Sequence, residues 1–349
     1  MGEAVHQLSS KGEVIVPSQE KMEVKKLKFS EGDVPCLITV KLRGDTLALN
    51  PFLKAEGGSI AFRSYGGTYS LIVKAPGEYS LVLTNEKNYK QEASYYLRVR
   101  RIFKIKGLIR VYGVEEFSPR TILVTDGIRF MVLKKISHIQ KVLEAEKYSG
   151  ISAWLAMRHE QVPRLLHANF ERMYTLSEYV EGKPFSKTFE RYRRVGADPL
   201  ELARIIRELV KPLEYASNLG IIHRDVKPAN IIVSPGGKVS LVDWELACWK
   251  GDCCFSVGEN PYAPPEANKG SYHEKSDVYS LGVIIAEALG FLKRLNGGTI
   301  LEVKLKDKSM LEEARELMRL SKEMRAENPE ERPGLEDISR RLDEIMGSK

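Results

Sequence analysis

Cysteine is scarce. Four residues among 349, Cys36, Cys248, Cys253 and Cys254, are too few for the disulfide framework of a small extracellular module, and such sparing use fits a reducing compartment. Three of them fall close together at 248–254 without an evident fourth zinc ligand, so they read as buried or idle thiols. Long apolar runs are missing too. None approaches a membrane span, the opening residues Met1 to His6 lack a signal-peptide core, and His6 stands where a myristoylation site needs Ser or Thr. These absences predict a cytoplasmic chain with no integral membrane association.

The composition is that of a globular protein, 43% hydrophobic and 29% charged, and the length suggests two domains with chain enough for a core in each. The net charge is +7, and residues 1–105 hold 16 Lys and Arg against 11 Asp and Glu, so most of the excess lies in the first third. Acidic partners, nucleic acid or a membrane surface would each suit it. No nucleic-acid motif accompanies the charge, so it reads as a solvated basic face, and nucleic acid is not expected among the partners.

After a polar, flexible leader, the first hundred residues alternate short apolar stretches with turns. Strands are predicted at 24–29, 37–42, 46–49, 60–63, 69–73, 79–84 and 94–99, punctuated by Gly32, Gly44, Gly57-Gly58, Gly66-Gly67 and Pro76-Gly77. This spacing predicts a small all-β sandwich-like domain over 1–101. Arg43-Gly44-Asp45 reads as a turn between strands rather than as an adhesion motif. Pro76 to Leu83 is similar to a late strand of immunoglobulin-like sandwiches. The domain reads as a binding or docking module with an unknown ligand, or as a cap on the rest of the chain.

The later chain is organised around His223-Arg224-Asp225-Val226-Lys227-Pro228-Ala229-Asn230 and the apolar run Ile231-Ile232-Val233. Phosphoryl transfer from a nucleoside triphosphate leaves a protein little covalent work. It needs a carboxylate on the acceptor side, a metal-binding amide a few residues on, and a cation near the transferring phosphate. Asp225 would accept or orient the proton of the attacking hydroxyl, Asn230 would hold Mg²⁺, and Lys227 would neutralise charge growing on the γ-phosphoryl group. The stretch resembles the catalytic loop of eukaryotic-like protein kinases, and Lys227 is the form seen in serine/threonine-type members. The resemblance implies an α+β, two-lobed kinase fold over 102–349, with a small lobe at about 102–180 and a large lobe at about 181–349.

Phe130-Met131-Val132-Leu133-Lys134 then looks like the strand that carries the ATP-anchoring lysine. Val132 and Lys134 share a strand face, so Val132 can pack on adenine while Lys134 reaches the phosphates. Glu146 is the carboxylate expected to hold Lys134, with Glu144 the second choice. The glycine-rich loop departs from the family pattern: of Gly113-Val114-Glu115-Glu116-Phe117-Ser118, only Gly113 and Phe117 fit. Thr175 to Gly182 resembles the hinge, where Glu178 and Val180 present backbone groups to adenine. Ser177 then stands at the gatekeeper position and Ile232 forms the floor under the base.

Asp198, Pro199 and Glu201 mark the start of the helix that leads into the catalytic loop, and Gly220 marks its end. Asp243, in Asp243-Trp244-Glu245, corresponds to the second metal-binding residue, with Trp and Glu replacing the family's Phe and Gly. Losing that glycine predicts one favoured activation-segment geometry. Glu266 should pair with Arg332, and Asp277 should brace the catalytic loop. Glu259 takes the place of the usual Thr near the substrate-binding loop, and Arg224 would meet either Glu259 or a phosphate on Ser256. The resemblance implies an ATP- and Mg²⁺-dependent kinase, with Mn²⁺ able to replace Mg²⁺, that acts on Ser or Thr of protein substrates and on itself. The alternative is a pseudokinase serving as a nucleotide-binding scaffold.

Overall fold

The computed structural model describes residues 7–347 apart from 17–19, 30–33, 45–48, 57, 66–67, 86–90, 106–107, 109–110, 137–143, 253–259, 291–293, 296–297 and 300–304. Some side chains inside strands and helices, including those of residues 144–148, also lie outside the described set. Two compact units emerge: Met1–Lys135 with Tyr174–Tyr179, and Ile136–Met173 with Val180–Lys349.

The first unit opens with β1 (Gln7–Val16), β2 (Lys21–Phe29), β3 (Cys36–Gly44), β4 (Leu49–Ala55), β5 (Gly58–Ala61), β6 (Arg63–Tyr65), β7 (Thr68–Val73), β8 (Gly77–Asn85) and β9 (Gln91–Arg101). They form two antiparallel sheets, in the orders β1-β9-β3-β7-β6 and β2-β8-β4-β5. The pairing is nested: β1 with β9, β2 with β8, β3 with β7, β4 with β5. Successive rungs of one long hairpin thus fall alternately in the two sheets, which is the jelly-roll arrangement. The order corrects the immunoglobulin-like resemblance, since β8 and β9 lie in opposite sheets. Between the sheets, Ile38, Val40, Leu97 and Val99 meet Leu27, Leu53, Leu81 and Leu83, all 5% exposed or less. Tyr79 ties the corner before β8 by donating its hydroxyl to the Ala75 carbonyl at 2.9 Å.

Two strand expectations need correction. The residues read as a flexible leader form β1, in register with β9 from Gln7↔Arg100 to Val16↔Gln91. Ser10 and Gly12 interrupt its apolar alternation, which hides it in the sequence. Of the strand expected at 46–49, residues 46–48 lie outside the described residues, and β4 runs on from Leu49 despite Pro51. The partner β5 pairs only from Phe52 onward, so this proline lies beyond the β5 ladder. Ile60 to Arg63 is not one strand: β5 and β6 belong to different sheets.

The same unit continues with β10 (Phe103–Lys104), β11 (Tyr112–Ser118), β12 (Thr121–Thr125), β13 (Phe130–Lys135) and, after β14 (Leu165–Asn169) of the other unit, β15 (Tyr174–Glu178). These strands run in the order β10-β11-β12-β13-β15. The sandwich is fastened to this sheet. Ser70 donates its hydroxyl to the Gly127 carbonyl at 2.9 Å, and the Arg100 guanidinium lies 5.9 Å from the Phe130 ring centre.

The second unit holds α1 (Glu144–Ala156), β16 (Lys183–Pro184), α2 (Ser186–Val195), α3 (Pro199–Asn218), β17 (Ile221–Ile222), β18 (Ile231–Val233), β19 (Val239–Leu241), β20 (Cys248–Trp249), α4 (Ser276–Ala288), α5 (Leu311–Met324) and α6 (Leu335–Gly347). Asp198 caps α3 by accepting from the Glu201 N–H at 3.1 Å, Pro199 takes the first turn, and Gly220 follows the end with φ of 76°. The apolar stripe of α3, Leu202, Ile206, Leu209 and Leu213, is buried against Leu317, Leu320, Ile338 and Leu342 of α5 and α6. Burying four such side chains contributes on the order of 8 kcal/mol before the entropy of ordering them is counted. Among the described helices none is long and apolar enough to cross a membrane.

Candidate active site

The loop between β17 and β18 is built on Asp277 at the start of α4. Its carboxylate accepts the His223 N–H at 2.8 Å and the Arg224 N–H at 3.0 Å, which holds the loop while Arg224 takes a left-handed φ of 68°. That conformation is costly for a non-glycine residue, and the two bonds oppose its relaxation. Burial pushes the Asp277 carboxyl upward, and the backbone N–H groups of His223 and Arg224 and the Arg224 charge pull it back.

His223 is fully buried, and desolvation lowers its pKa, so the ring is neutral. Its Nδ1 accepts the Asp225 N–H at 3.2 Å, which leaves Nε2 to donate to the Val242 carbonyl at 3.2 Å. Histidine therefore sets the tautomer and, through it, the distance between the catalytic loop and the strand that leads to Asp243. Trp244 stands edge-on to His223, ring centres 4.4 Å apart, fully buried, with its indole N–H on the Leu241 carbonyl at 2.9 Å. The residue that replaces the family's Phe is thus a fixed part of the core.

Asp225, 5% exposed, gathers three donors. Lys227 Nζ lies 2.8 and 2.7 Å from its two oxygens, Asn230 Nδ2 lies 2.9 Å from Oδ2, and Asn260 Nδ2 lies 3.1 Å from Oδ1. Asn230 also donates to the Asp225 carbonyl at 2.9 Å. Its amide nitrogen is thereby committed, and the amide oxygen is the atom it can offer to a cation. Asp243, with φ of 68°, follows Val242, whose N–H donates to the Asn230 carbonyl at 2.9 Å. An amide oxygen just before β18 and a carboxylate just after its partner β19 suit a hard cation such as Mg²⁺. Asn260 was missed in the sequence, where the neighbouring Glu259 was aligned with the family's Thr. The asparagine supplies the bond to Asp225, and Glu259 and Ser256 lie outside the described residues.

The expected structural pair is present. Arg332, its side chain fully buried, meets Glu266 through two parallel bonds of 2.7 and 2.8 Å, and Ser276 adds a third donor to Glu266 at 2.8 Å. Burial opposes ionisation of Glu266, but the hydrogen bonds from Arg332 and Ser276 outweigh it and hold the carboxyl below its ordinary range.

On the nucleotide side, Val132 and Lys134 stand two apart on β13, opposite Ser177 and Thr175 of β15. Ser177 is 8% exposed. Glu178 ends β15 opposite Met131, while Val180 and Ile232 belong to the second unit. Gly113 sits in β11 opposite Phe103, whose ring fills the place of its missing Cβ; a methyl there would come within 2.1 Å. The glycine thus has a packing reason besides any approach to phosphate. Glu115 and Glu116 are exposed. Glu146 lies in the first turn of α1, with its side chain, like that of Glu144, outside the described residues.

Cysteine departs from expectation. Cys248 on β20 is disulfide-bonded and Cys36 is a buried free thiol. The reading of idle thiols near the activation segment is therefore corrected. Cys253 and Cys254 lie outside the described residues.

Residues 120–346, well over half of the chain, match the family described as Protein kinase domain. A probable serine/threonine-protein kinase of Clostridium perfringens is 36% identical over 140 residues, 38% of this chain and 20% of the relative. A serine/threonine-protein kinase of Arabidopsis thaliana is 30% identical over 139 residues, 39% of this chain and 30% of the relative. Aurora kinase C of Mus musculus is 30% identical over 170 residues, 46% of this chain and 60% of the relative. The chain thus spans between a fifth and three fifths of the lengths of these relatives. With its motif residues gathered around Asp225 and its matched segment running almost to the last residue, the chain belongs to the protein kinase domain family.

Proposed function

We propose that the chain is an active ATP- and Mg²⁺-dependent kinase that phosphorylates Ser or Thr hydroxyls of proteins. The observation that carries the reading is the network on Asp225, which joins a cation, a metal-binding amide and a loop residue at one buried carboxylate. Bound Mg²⁺·ATP supplies the phosphoryl group, with the metal held by Asn230 and Asp243. Asp225 orients the incoming hydroxyl and takes its proton. Lys227 uses two of its three N–H donors on Asp225 and keeps the third for a phosphoryl oxygen. Lys134 would anchor the phosphates. Val132 would pack on adenine, Glu178 would present its backbone to the base edge, and Gly113 would begin the covering loop, while Glu146, Val180 and Ile232 are the family's matching positions in the second unit.

The Ser/Thr preference rests on Lys227 and on the names of relatives about 30% identical. The β-domain boundary at 101/102 is supported by β9 ending at Arg101.

The test is incorporation of label from γ-labelled ATP into a basic acceptor protein, beside Asp225→Asn. Label that the variant loses by about 10²-fold or more supports the reading, and phospho-residue analysis then separates Ser/Thr from Tyr. No label from the wild type, with ATP still raising its melting temperature, establishes a nucleotide-binding scaffold instead.

A further inference from the structure

The basic excess of the first third is not spread evenly over the jelly roll. On the outer face of sheet β2-β8-β4-β5 two of the lysines are paired with acids: Lys28 with Glu78 at 2.9 Å and Lys26 with Glu23 at 3.9 Å. The outer face of sheet β1-β9-β3-β7-β6 is different. Strand alternation places Leu97, Val99, Ile38 and Val40 inward, so Lys11, Lys41, Arg43, Arg63, Arg98 and Tyr96 fall on the outward face. Lys11, Arg43, Arg63 and Arg98 make no ion pair with a described residue. The one acid among the described side chains of this face is Glu13, opposite Ser94 and diagonal to Tyr96 on the side away from Arg43.

The register centres these charges on an aromatic ring. Tyr96, 44% exposed, has Lys11 directly beside it on one neighbouring strand and Lys41 on the other. Arg98 follows one step along β9, and Arg43 stands diagonally across, opposite Ser94. Cross-strand neighbours are about 5 Å apart and diagonal ones about 7–8 Å, so four cations surround one ring on a flat surface. The other end of the face is closed: Leu37 is fully buried and Ser70 is bonded to Gly127 of the adjoining sheet.

We propose that this open face binds single-stranded nucleic acid, with phosphates on the Lys and Arg groups and a base stacked on Tyr96. Charge complementarity requires a polyanion, and arginine forks match phosphate geometry. The exposed ring amid the cations needs a planar group beside the negative charge, which a nucleotide strand carries at every step and an acidic peptide does not. An anionic membrane would call for Leu, Phe or Trp to enter the acyl boundary, and the described side chains of the open area contain none.

The test uses the full chain and fluorescein-labelled oligo(U) of about 20 nucleotides, a length that spans more than one site of this size, followed by fluorescence anisotropy. Binding should weaken with salt at a log–log slope of about −3, as for some four phosphates. The double variant Lys11→Glu/Arg43→Glu should lose about 10²-fold, and Tyr96→Ala about tenfold. Lys26→Glu/Lys54→Glu, on the opposite face, should bind like the wild type, with all variants melting normally. Absence of binding, equal loss from the opposite-face variant, or full affinity in Tyr96→Ala would each overturn the proposal. So would equal affinity for a duplex of the same length. Sedimentation with phosphatidylserine vesicles through Lys11 and Arg43, without oligonucleotide binding, would transfer the face to membranes.

Discussion

Gly150 of α1 and the carbonyl oxygen of Glu245 approach so closely that a Cβ at position 150 would lie 2.1 Å from that oxygen. The helix is therefore seated on the turn after Asp243, and Trp249 Nε1 on Ser152 Oγ at 2.8 Å fastens its next turn. An added methyl must lift α1 away from the turn that follows Asp243.

Gly150→Ala separates this contact from helix propensity. In an open helix the change stabilises by about 1 kcal/mol, whereas overpacking here should cost about 1–3 kcal/mol. Differential scanning calorimetry should find a melting temperature several degrees lower, and the kcat should fall. A rise in melting temperature would show that the contact yields freely.

The Glu266–Arg332 pair predicts a pH dependence. The folded Glu266 carboxyl titrates below its ordinary value of 4.5, so its contribution is complete above that value and is lost as pH falls through the lower folded one. Glu266→Gln should flatten the stability curve below about pH 4.5 while lowering it at pH 7. Arg332→Ala, which strands a largely buried carboxylate, should cost about 3–5 kcal/mol in chemical denaturation.

Asn260 predicts a graded kinetic effect. Asn260→Ala removes one donor from Asp225 and should reduce kcat about tenfold, the size of one charge-assisted hydrogen bond. Asn260→Asp places a second carboxylate beside the first and should reduce it further. Steady-state kinetics that ranked the two variants the other way would remove Asn260 from the positioning of Asp225.

Ser177 lies opposite Val132, the residue assigned to the adenine pocket. If Ser177 guards that pocket, bulky ATP-site analogues should inhibit the wild type, and Ser177→Met should relieve the inhibition at least tenfold while retaining ATP turnover. Unchanged inhibition would place the hinge in another register.

The cluster on Asp225 was readable because its members are local. Asp225, Lys227 and Asn230 lie within six positions, and one short loop brings them together. The long-range partners Glu266 and Arg332 were readable only through the family resemblance, since nothing in either segment alone points to the other. Asn260 was hidden by its place in the alignment: one position along a loop decides which side chain meets Asp225, and loop geometry is set by packing. In the β-domain, strands with short apolar runs bounded by turn residues, such as β7 and β8, were evident. β1 was lost because Ser10 and Gly12 occupy inward positions, and the jelly-roll order was lost because alternation identifies a strand without naming its partner. The disulfide at Cys248 was beyond reach for the same reason, as spacing does not determine pairing.

The nested pairing also orders events in time. Ala55 meets Gly58 across three positions, Cys36 meets Val73 across 37, Lys21 meets Thr84 across 63, and Gln7 meets Arg100 across 93. Closed alone, the outermost ladder would carry the largest loop entropy of the set. Closed after the inner ones, it joins ends that are already near, because each ladder shortens the effective loop of the next. The β-domain should therefore zip from its middle outward, and on the ribosome its first strand must wait unpaired until β9, which begins at Gln91, starts to emerge.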